Sequence, residues 1–350
     1  MEKRRVIIAD ISSVKIGKSN FGHYRKVSGM YQKMLKGMFE VYVAGGPVYM
    51  DQIWETAGIR LPFDVELDDL RSGWGRMVFK IRSIINGRCL FKAAGDDVVI
   101  CQPYSFLSWM ISILFAKKST RIYLIEYRDE LDKKVNRILF SIAKKKIAGV
   151  LCPNQEVGDR YGIPYLVVPD YIDCEEHHNK TNEDFLYDFG MVGIMSEGKD
   201  IEDVIRTFSN TRYRVLIAGY FGNQDSFQRY VQKKTENIVL VNRYLSETEY
   251  REFFEQVRYV ILPYKESYRN ASSGVIFDVL FHQKPVITKN FPNFQFVNNY
   301  HIGILYHKTL KELDMERLLS QEFYRGMQSR IGNYLKDNKK SIQRIAEFLS

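Results

Sequence analysis

The chain is poor in cysteine, and the few it has form no chemical arrangement. Cys89, Cys101, Cys152 and Cys174 are the only four in 350 residues, with no Cys-x-x-Cys pair and no Cys/His cluster. That argues against a disulfide framework or a structural zinc site, and predicts reduced core thiols in a cytosolic protein. His177 and His178 lie in a polar stretch without a further ligand nearby and read as solvated. Long apolar runs are also missing: none approaches the roughly 20 residues of a membrane-spanning helix. Met1-Glu-Lys-Arg-Arg5 leads directly into the strand-like Val6-Ile-Ile-Ala9, so no signal peptide is expected. There is no GxGxxG pattern, internal repeat or low-complexity tract.

What is present fits a globular protein of two domains. Apolar residues make up 45% and charged residues 27%, both ordinary, and 350 residues can bury two sizeable cores. The net charge of +9 is unevenly placed. Residues 1–170 hold 27 Lys and Arg against 18 Asp and Glu, whereas residues 171–350 hold 24 of each. A basic first half implies an anionic partner: a membrane surface, a phosphorylated acceptor or a nucleic acid. The last lacks any recognised motif or Arg/aromatic interleaving and ranks lowest.

Taken in order, Arg5–Ile11 reads as a buried parallel strand, Ser12–Gly22 as a glycine-containing loop and His23–Leu35 as a helix. This is the opening of a doubly wound α/β domain. The loop is either a plain turn or, from its place at the strand's C-terminal end, part of a ligand cleft. Further strands are expected at 40–44, 97–101, 121–125, 150–153 and 165–169, with residues 46–70 irregular. Arg76–Lys92 has the pattern of a basic amphipathic helix, broken near Gly87, with Met77, Val78, Ile81, Ile84 and Ile85 on its apolar face. It reads as a solvated surface helix or as one lying on a membrane. Phe106–Phe115 is an apolar helix and Lys133–Lys146 a basic one. Cys174–Asp184 is the best linker candidate. Beyond it, strands are expected at 189–193, 214–219 and 237–241. A helix over 246–256 carries a Ser246/Glu249 capping box, and 315–348 is helical.

One stretch carries most of the chemistry. Tyr259–Leu262 reads as a strand, Pro263–Ser273 as a loop, Gly274–Phe281 as a helix and Pro285–Thr288 as a second strand. Ser272 and Ser273 sit where a helix N-cap is expected, and Gly274 lets a ligand approach the backbone. Free amides and the positive end of the helix dipole make such a corner an anion site. Asp278, one turn on, is a carboxylate for hydroxyl groups. A phosphate beside hydroxyls suggests a sugar nucleotide.

That stretch resembles the donor-binding segment of retaining glycosyltransferases of the family-4 clan, of the bacterial surface-polysaccharide type. The clan has two acidic residues eight positions apart, followed by Gly-x-Pro-Val-Ile. Here the pair is Asn270 and Asp278, and Gln283 replaces the glycine. The clan's basic pair for the donor diphosphate falls on Ile194 and Lys199, with Arg269 a candidate for the missing cation. Lys199 is otherwise an exposed residue at a helix start, where the dipole disfavours it. Glu126-Tyr-Arg-Asp129 resembles the clan's acidic, spacer, Arg-Asp run, and Arg128 with Asp129 reads otherwise as a structural ion pair. Val168-Pro-Asp-Tyr-Ile-Asp173 matches the segment before the second domain. Phe291–Tyr306 resembles the one lining the nucleotide.

The resemblance implies an α/β GT-B fold: two Rossmann-like doubly wound parallel-sheet domains with a cleft between them. Residues 1–173 would bind acceptor, 174–184 link, 185–330 bind the nucleotide sugar, and 331–350 form a helix packing back toward the first domain. It implies transfer of a sugar from a nucleotide-diphosphate sugar to a glycan or polyprenyl-diphosphate-linked acceptor, in surface polysaccharide or capsule synthesis. No Asp-x-Asp occurs, so a metal-independent mechanism without a cofactor is expected. Lys199, Glu126 and Arg128 are the candidate catalytic residues. Gly22, Arg269, Asn270, Ser272, Ser273, Gly274 and Asp278 are assigned to the donor, and His23 and Lys18 to the acceptor. The expected site of action is the cytoplasm, peripheral at the inner face of an anionic membrane. The competing reading is a catalytically inert GT-B partner subunit, motivated by Asn270 and Ile194.

Overall fold

A computed structural model describes residues 3–15, 22–51, 58–66, 72–102, 105–169, 172 and 184–350. The chain divides into two compact units, Met1–Cys174 with Lys340–Ser350, and Glu175–Lys339.

In the first unit, the strands are β1 (Arg5–Ala9), β2 (Val14–Lys15), β3 (Glu40–Gly45), β4 (Gly58–Arg60), β5 (Val65–Glu66), β6 (Val98–Cys101), β7 (Arg121–Ile125), β8 (Ile147–Cys152) and β9 (Tyr165–Val167). Its helices are α1 (Gly22–Leu35), α2 (Pro47–Asp51), α3 (Gly73–Ala94), α4 (Phe106–Ile113), α5 (Lys134–Ala143) and α6 (Gln155–Tyr161). Seven strands form one parallel sheet in the order β4-β3-β1-β6-β7-β8-β9. The continuous apolar run of β1 follows from burial on both sides. Val6 and Ile8 join a core with α1 residues and Ile345 and Leu349. Ile7 and Ala9 face the opposite core, under α3, α4 and α5. Strands β2 and β5 pair separately, out of a region that sequence reads as irregular, and Phe79 of α3 packs on them.

Helix α3 departs from expectation twice. It runs unbroken through Gly87, whose missing side chain is required by α4: a Cβ there would lie 2.1 Å from Ser112 Oγ. Its buried face is Phe79, Ser83, Asn86, Leu90 and Phe91, while Met77, Ile81 and Ile85 are exposed and Val78 and Ile84 only half-buried. The cause is polar. The buried Asn86 amide donates to Ile11 O and Phe63 O at 2.8 Å and accepts from Phe63 N at 3.0 Å, fixing the helix rotation against its apolar periodicity. Cys89 is exposed on the same helix rather than in the core, whereas Cys101 and Cys152 are buried.

The second unit contains β10 (Tyr187–Val192), α7 (Ile201–Phe208), β11 (Val215–Gly219), α8 (Gln224–Lys233), β12 (Ile238–Asn242), α9 (Glu247–Gln256), β13 (Val257–Leu262), α10 (Gly274–Phe281), β14 (Val286–Lys289), α11 (Gln295–Asn299), β15 (Gly303–Tyr306), α12 (Met315–Leu319) and α13 (Gln321–Leu349). Its six-stranded parallel sheet has the order β12-β11-β10-β13-β14-β15. The strand order reverses between β10 and β13, whose following connections lead to opposite edges of the sheet, and such a switch point is where doubly wound sheets bind ligands. The end of α13 belongs to the first unit, where the Tyr123 hydroxyl donates to Phe348 O at 2.9 Å.

Candidate functional site

The two loops at that switch point are sewn together. Lys199 and Tyr264 form an antiparallel bridge, Asp200 N–H donates to Pro263 O at 2.5 Å, and Lys265 N–H donates to Gly198 O at 2.9 Å. Gly193 opens the first loop at φ 99°, a conformation that favours glycine. A Cβ there would lie 3.7 Å from Lys199 Nζ and 3.5 Å from Val275 Cγ2, so the ammonium stands beside the first turn of α10. Lys199 is 5% exposed, which corrects its reading as an exposed residue at a helix start. Helix α7 begins two residues later, at Ile201, and is capped by Asp200. The Lys199 ammonium donates to Val192 O at 2.9 Å, and among the described residues no carboxylate forms an ion pair with it. Burial alone pulls its pKa down to about 8.

Ser273 occupies the N-cap position of α10, but its side chain does not cap the helix. Its hydroxyl is engaged by the Tyr264 hydroxyl, so the Ser273 side chain does not satisfy the first amides of α10. Ser272 beside it is half-buried. Tyr264 stacks on Tyr268 at 4.3 Å, and Tyr268 covers Gly198, where a Cβ would meet the ring at 2.8 Å. Asp278 is half-buried and accepts the Tyr250 hydroxyl at 3.1 Å. Burial first, then Asp278, raises the Tyr250 phenol well above its usual range. Tyr250 is positioned by α9, whose Ser246/Glu249 capping box is formed. Arg269 is exposed and paired with Glu266 at 3.3 Å, and Asn270 is half-buried in the same loop. Ile194 is exposed.

In the first unit, Glu126 follows β7 and is buried, which raises its carboxyl well above the usual range, with Glu130 adding to the effect. Its Oε2 has no hydrogen-bond partner among the described residues. Arg128 and Asp129 do not pair with each other. Arg128 Nε binds Glu130 at 2.7 Å, and Asp129 is held by Arg160. Gly22 starts α1 and His23 follows it, while Lys18 lies outside the described residues.

The sequence pattern missed Asp10. It follows β1 at the switch point of the first sheet, between β1 and β6, and accepts N–H bonds from Ser12 and Ser13 at 2.9 Å. Ser13 is left-handed at φ 42°, and its hydroxyl accepts the Gly46 N–H at 2.7 Å. Burial lifts the Asp10 carboxyl to about 6 against those amides. Ser28, Tyr49 and Gln102 form a buried hydrogen-bonded trio in the same unit. A carboxylate closing an apolar strand was the available signal.

Two units, each with a doubly wound parallel sheet, define the GT-B fold. No family model and no curated protein matches the chain. Solved structures do. A glycosyltransferase from Rickettsia africae ESF-5 is 13% identical with a TM-score of 0.66, covering 99% of this chain and 98% of that one. The lipopolysaccharide outer core galactosyltransferase WaaB is 12% identical with a TM-score of 0.61, covering 98% and 99%. Anabaena HepE, in complex with UDP, is 11% identical with a TM-score of 0.68, covering 99% of each chain. At these identities the likeness establishes the fold.

Proposed function

We propose that the protein is a retaining, metal-independent glycosyltransferase that moves a sugar from a nucleotide-diphosphate sugar to a glycan or lipid-linked glycan in surface polysaccharide synthesis. One observation carries the donor site: the buried, carboxylate-free Lys199 ammonium beside the first turn of α10. A buried cation without a counter-ion is costly, and a bound diphosphate would complete it. The resemblance to HepE, which holds UDP, and to a protein bound with UDP-2-fluoro glucose, supports that ligand class.

In this reading Lys199 and the α10 amides stabilise the charge that builds on the departing diphosphate, an electrostatic contribution already in place before reaction. Asp278, oriented by Tyr250, serves ribose or sugar hydroxyls. Ser272, Gly274, Asn270 and Arg269 line the donor loop. Glu126 keeps the catalytic role that the resemblance implies; because burial favours its neutral form, it would act as a hydrogen-bond donor. Arg128, Gly22, His23 and Lys18 keep the roles that the family resemblance implies. The acceptor, or the lipid that carries it, lies at an anionic membrane surface.

Lys199→Met tests the site with little change in volume. Turnover with the best of UDP-, GDP- and dTDP-sugars should fall about 10²–10³-fold, in kcat rather than KM alone. Its Tm without donor should equal or exceed the parent's, because an unpaired buried charge is replaced by an apolar chain. A variant that turns over like the parent sinks the assignment. A parent that binds nucleotide sugars but never transfers or hydrolyses them favours the inert-subunit reading.

A further inference from the structure

Helices α3, α4 and α5 form one layer. Leu90 and Phe91 of α3, Trp109 of α4 and Phe140 of α5 all enter the same core on one side of the first sheet. The opposite faces of these helices therefore look outward together, and they carry exposed apolar side chains. On α3, Trp74, Met77, Ile81 and Ile85 are exposed at spacings of three and four residues, Trp74 by 71%. On α5 the same spacing exposes Val135, Ile138 and Ile142, by 58% and 59% for the first and last. Leu114 and Phe115, after α4, are exposed as well. That corner is tied to its neighbours: Lys146 Nζ donates to Leu114 O at 2.8 Å, and the Arg88 guanidinium stands 5.7 Å from the Phe115 ring centre.

The charge on this layer has one sign. Residues 72–95 hold five Lys or Arg, residues 105–119 two, and residues 133–146 six, with no Asp or Glu in any of the three segments. Thirteen of the 27 basic residues of positions 1–170 thus lie on three acid-free segments. Exposed aliphatic side chains among lysines and arginines gain little from a phosphodiester backbone. They match a surface that offers anionic headgroups above hydrocarbon. No helix among the described residues is long and apolar enough to cross a membrane, so the fitting mode is lying on one.

We propose that the outer face of the α3–α4–α5 layer seats the protein on an anionic lipid bilayer, with Trp74, Ile81, Ile138 and Ile142 entering the headgroup–acyl boundary and the basic residues contacting headgroups. This deepens the membrane partner named above and rests on it only for the identity of the acceptor.

The test is cosedimentation of the full chain with vesicles of phosphatidylcholine and phosphatidylglycerol, beside vesicles of phosphatidylcholine alone and soluble heparin. The parent should pellet with the mixed vesicles and weaken at high salt, since exposed charges are screened beyond ~10 Å at 0.1 M. The informative variant is Ile81→Lys with Ile142→Lys, which adds two positive charges while removing two apolar side chains. Insertion predicts binding about tenfold weaker. An electrostatic partner such as a nucleic acid or an acidic protein predicts tighter binding. A parent that stays in the supernatant, a variant that binds vesicles as well or better, or preference for heparin over vesicles overturns the proposal. So does a parent dimer in sedimentation equilibrium that the variant dissolves, because the face would then be a self-association surface. Both positions are exposed, so an unchanged Tm is expected, and nucleotide-induced stabilisation of the same samples reports the donor site separately.

Discussion

At the scale of single residues, two buried ionisable groups set opposite pH dependences. Asp10 has its carboxyl raised from 3.8 to about 6 in the folded chain. Between those values the native state holds a proton that the unfolded state has released, so stability falls as pH rises from about 4 to about 6. The loss is at most about 3 kcal/mol at ~1.36 per unit. Asp10→Asn keeps an acceptor for Ser12 and Ser13 but cannot ionise. Its Tm should gain on the parent's as pH climbs through that window and stay level beyond it; parallel curves would mean Asp10 ionises in native and unfolded chains alike. Lys199 runs the other way. Its pKa is lowered to about 8, so above pH 8 the native ammonium empties while the unfolded lysine keeps its proton. If it holds the diphosphate, UDP should bind about tenfold more weakly at pH 9 than at pH 7, and Lys199→Arg should flatten that profile. Lys199 was legible as a position in a motif. Its burial was not, because a lysine's depth depends on loops that meet only after folding. Asp10 was hidden by its neighbours: it continues the apolar run Val6–Ala9 and marks no spacing of its own.

At the scale of elements, periodicity located α3 but turned it the wrong way. Apolar residues occur on both sides of this helix, and one buried asparagine with three hydrogen bonds decided which side faces the core. Gly87 resembled a helix break for the same reason that it is needed: it has no side chain. Gly87→Ala should improve helix propensity by nearly 1 kcal/mol, yet its Cβ would sit 2.1 Å from Ser112 Oγ and 2.4 Å from Ser112 Cβ. The clash with a short, backbone-anchored side chain should win, for a net loss of roughly 1–3 kcal/mol by denaturant unfolding. Ser112→Gly in the same chain should recover part of it; a Gly87→Ala protein more stable than the parent would show that the helices separate freely. The α9 capping box was readable from Ser246 and Glu249 alone, because that signal is local. The Tyr264–Ser273 pairing was not, since the hydroxyl that engages Ser273 comes from nine residues earlier.

At the scale of the whole molecule, strand order explains why the proposed donor site collects residues from distant segments. Sequence showed alternating strands and helices and so a pair of parallel sheets; it could not show that β13 returns to the flank of β10, which brings residue 199 beside residues 264–275. In the proposed reading, the charge that a metal-dependent transferase would draw from a cation held by carboxylates is offered by a protein cation and helix amides. A diphosphate that meets a buried ammonium has its charge neutralised without a divalent partner, so both donor binding and turnover should be indifferent to chelation. Saturating UDP, at about 100 times its Kd, should stabilise the protein by ~2.7 kcal/mol with or without EDTA. The same pair of assays on Lys199→Met separates the contributions. Its UDP stabilisation should collapse in EDTA and stay collapsed when magnesium or manganese is restored, because the proposed reading gives the ion no part in holding the diphosphate. If EDTA instead abolishes turnover in the parent and added metal restores it, the diphosphate is carried by a cation that Lys199 does not replace, and the metal-free mechanism is wrong even if the donor site is right.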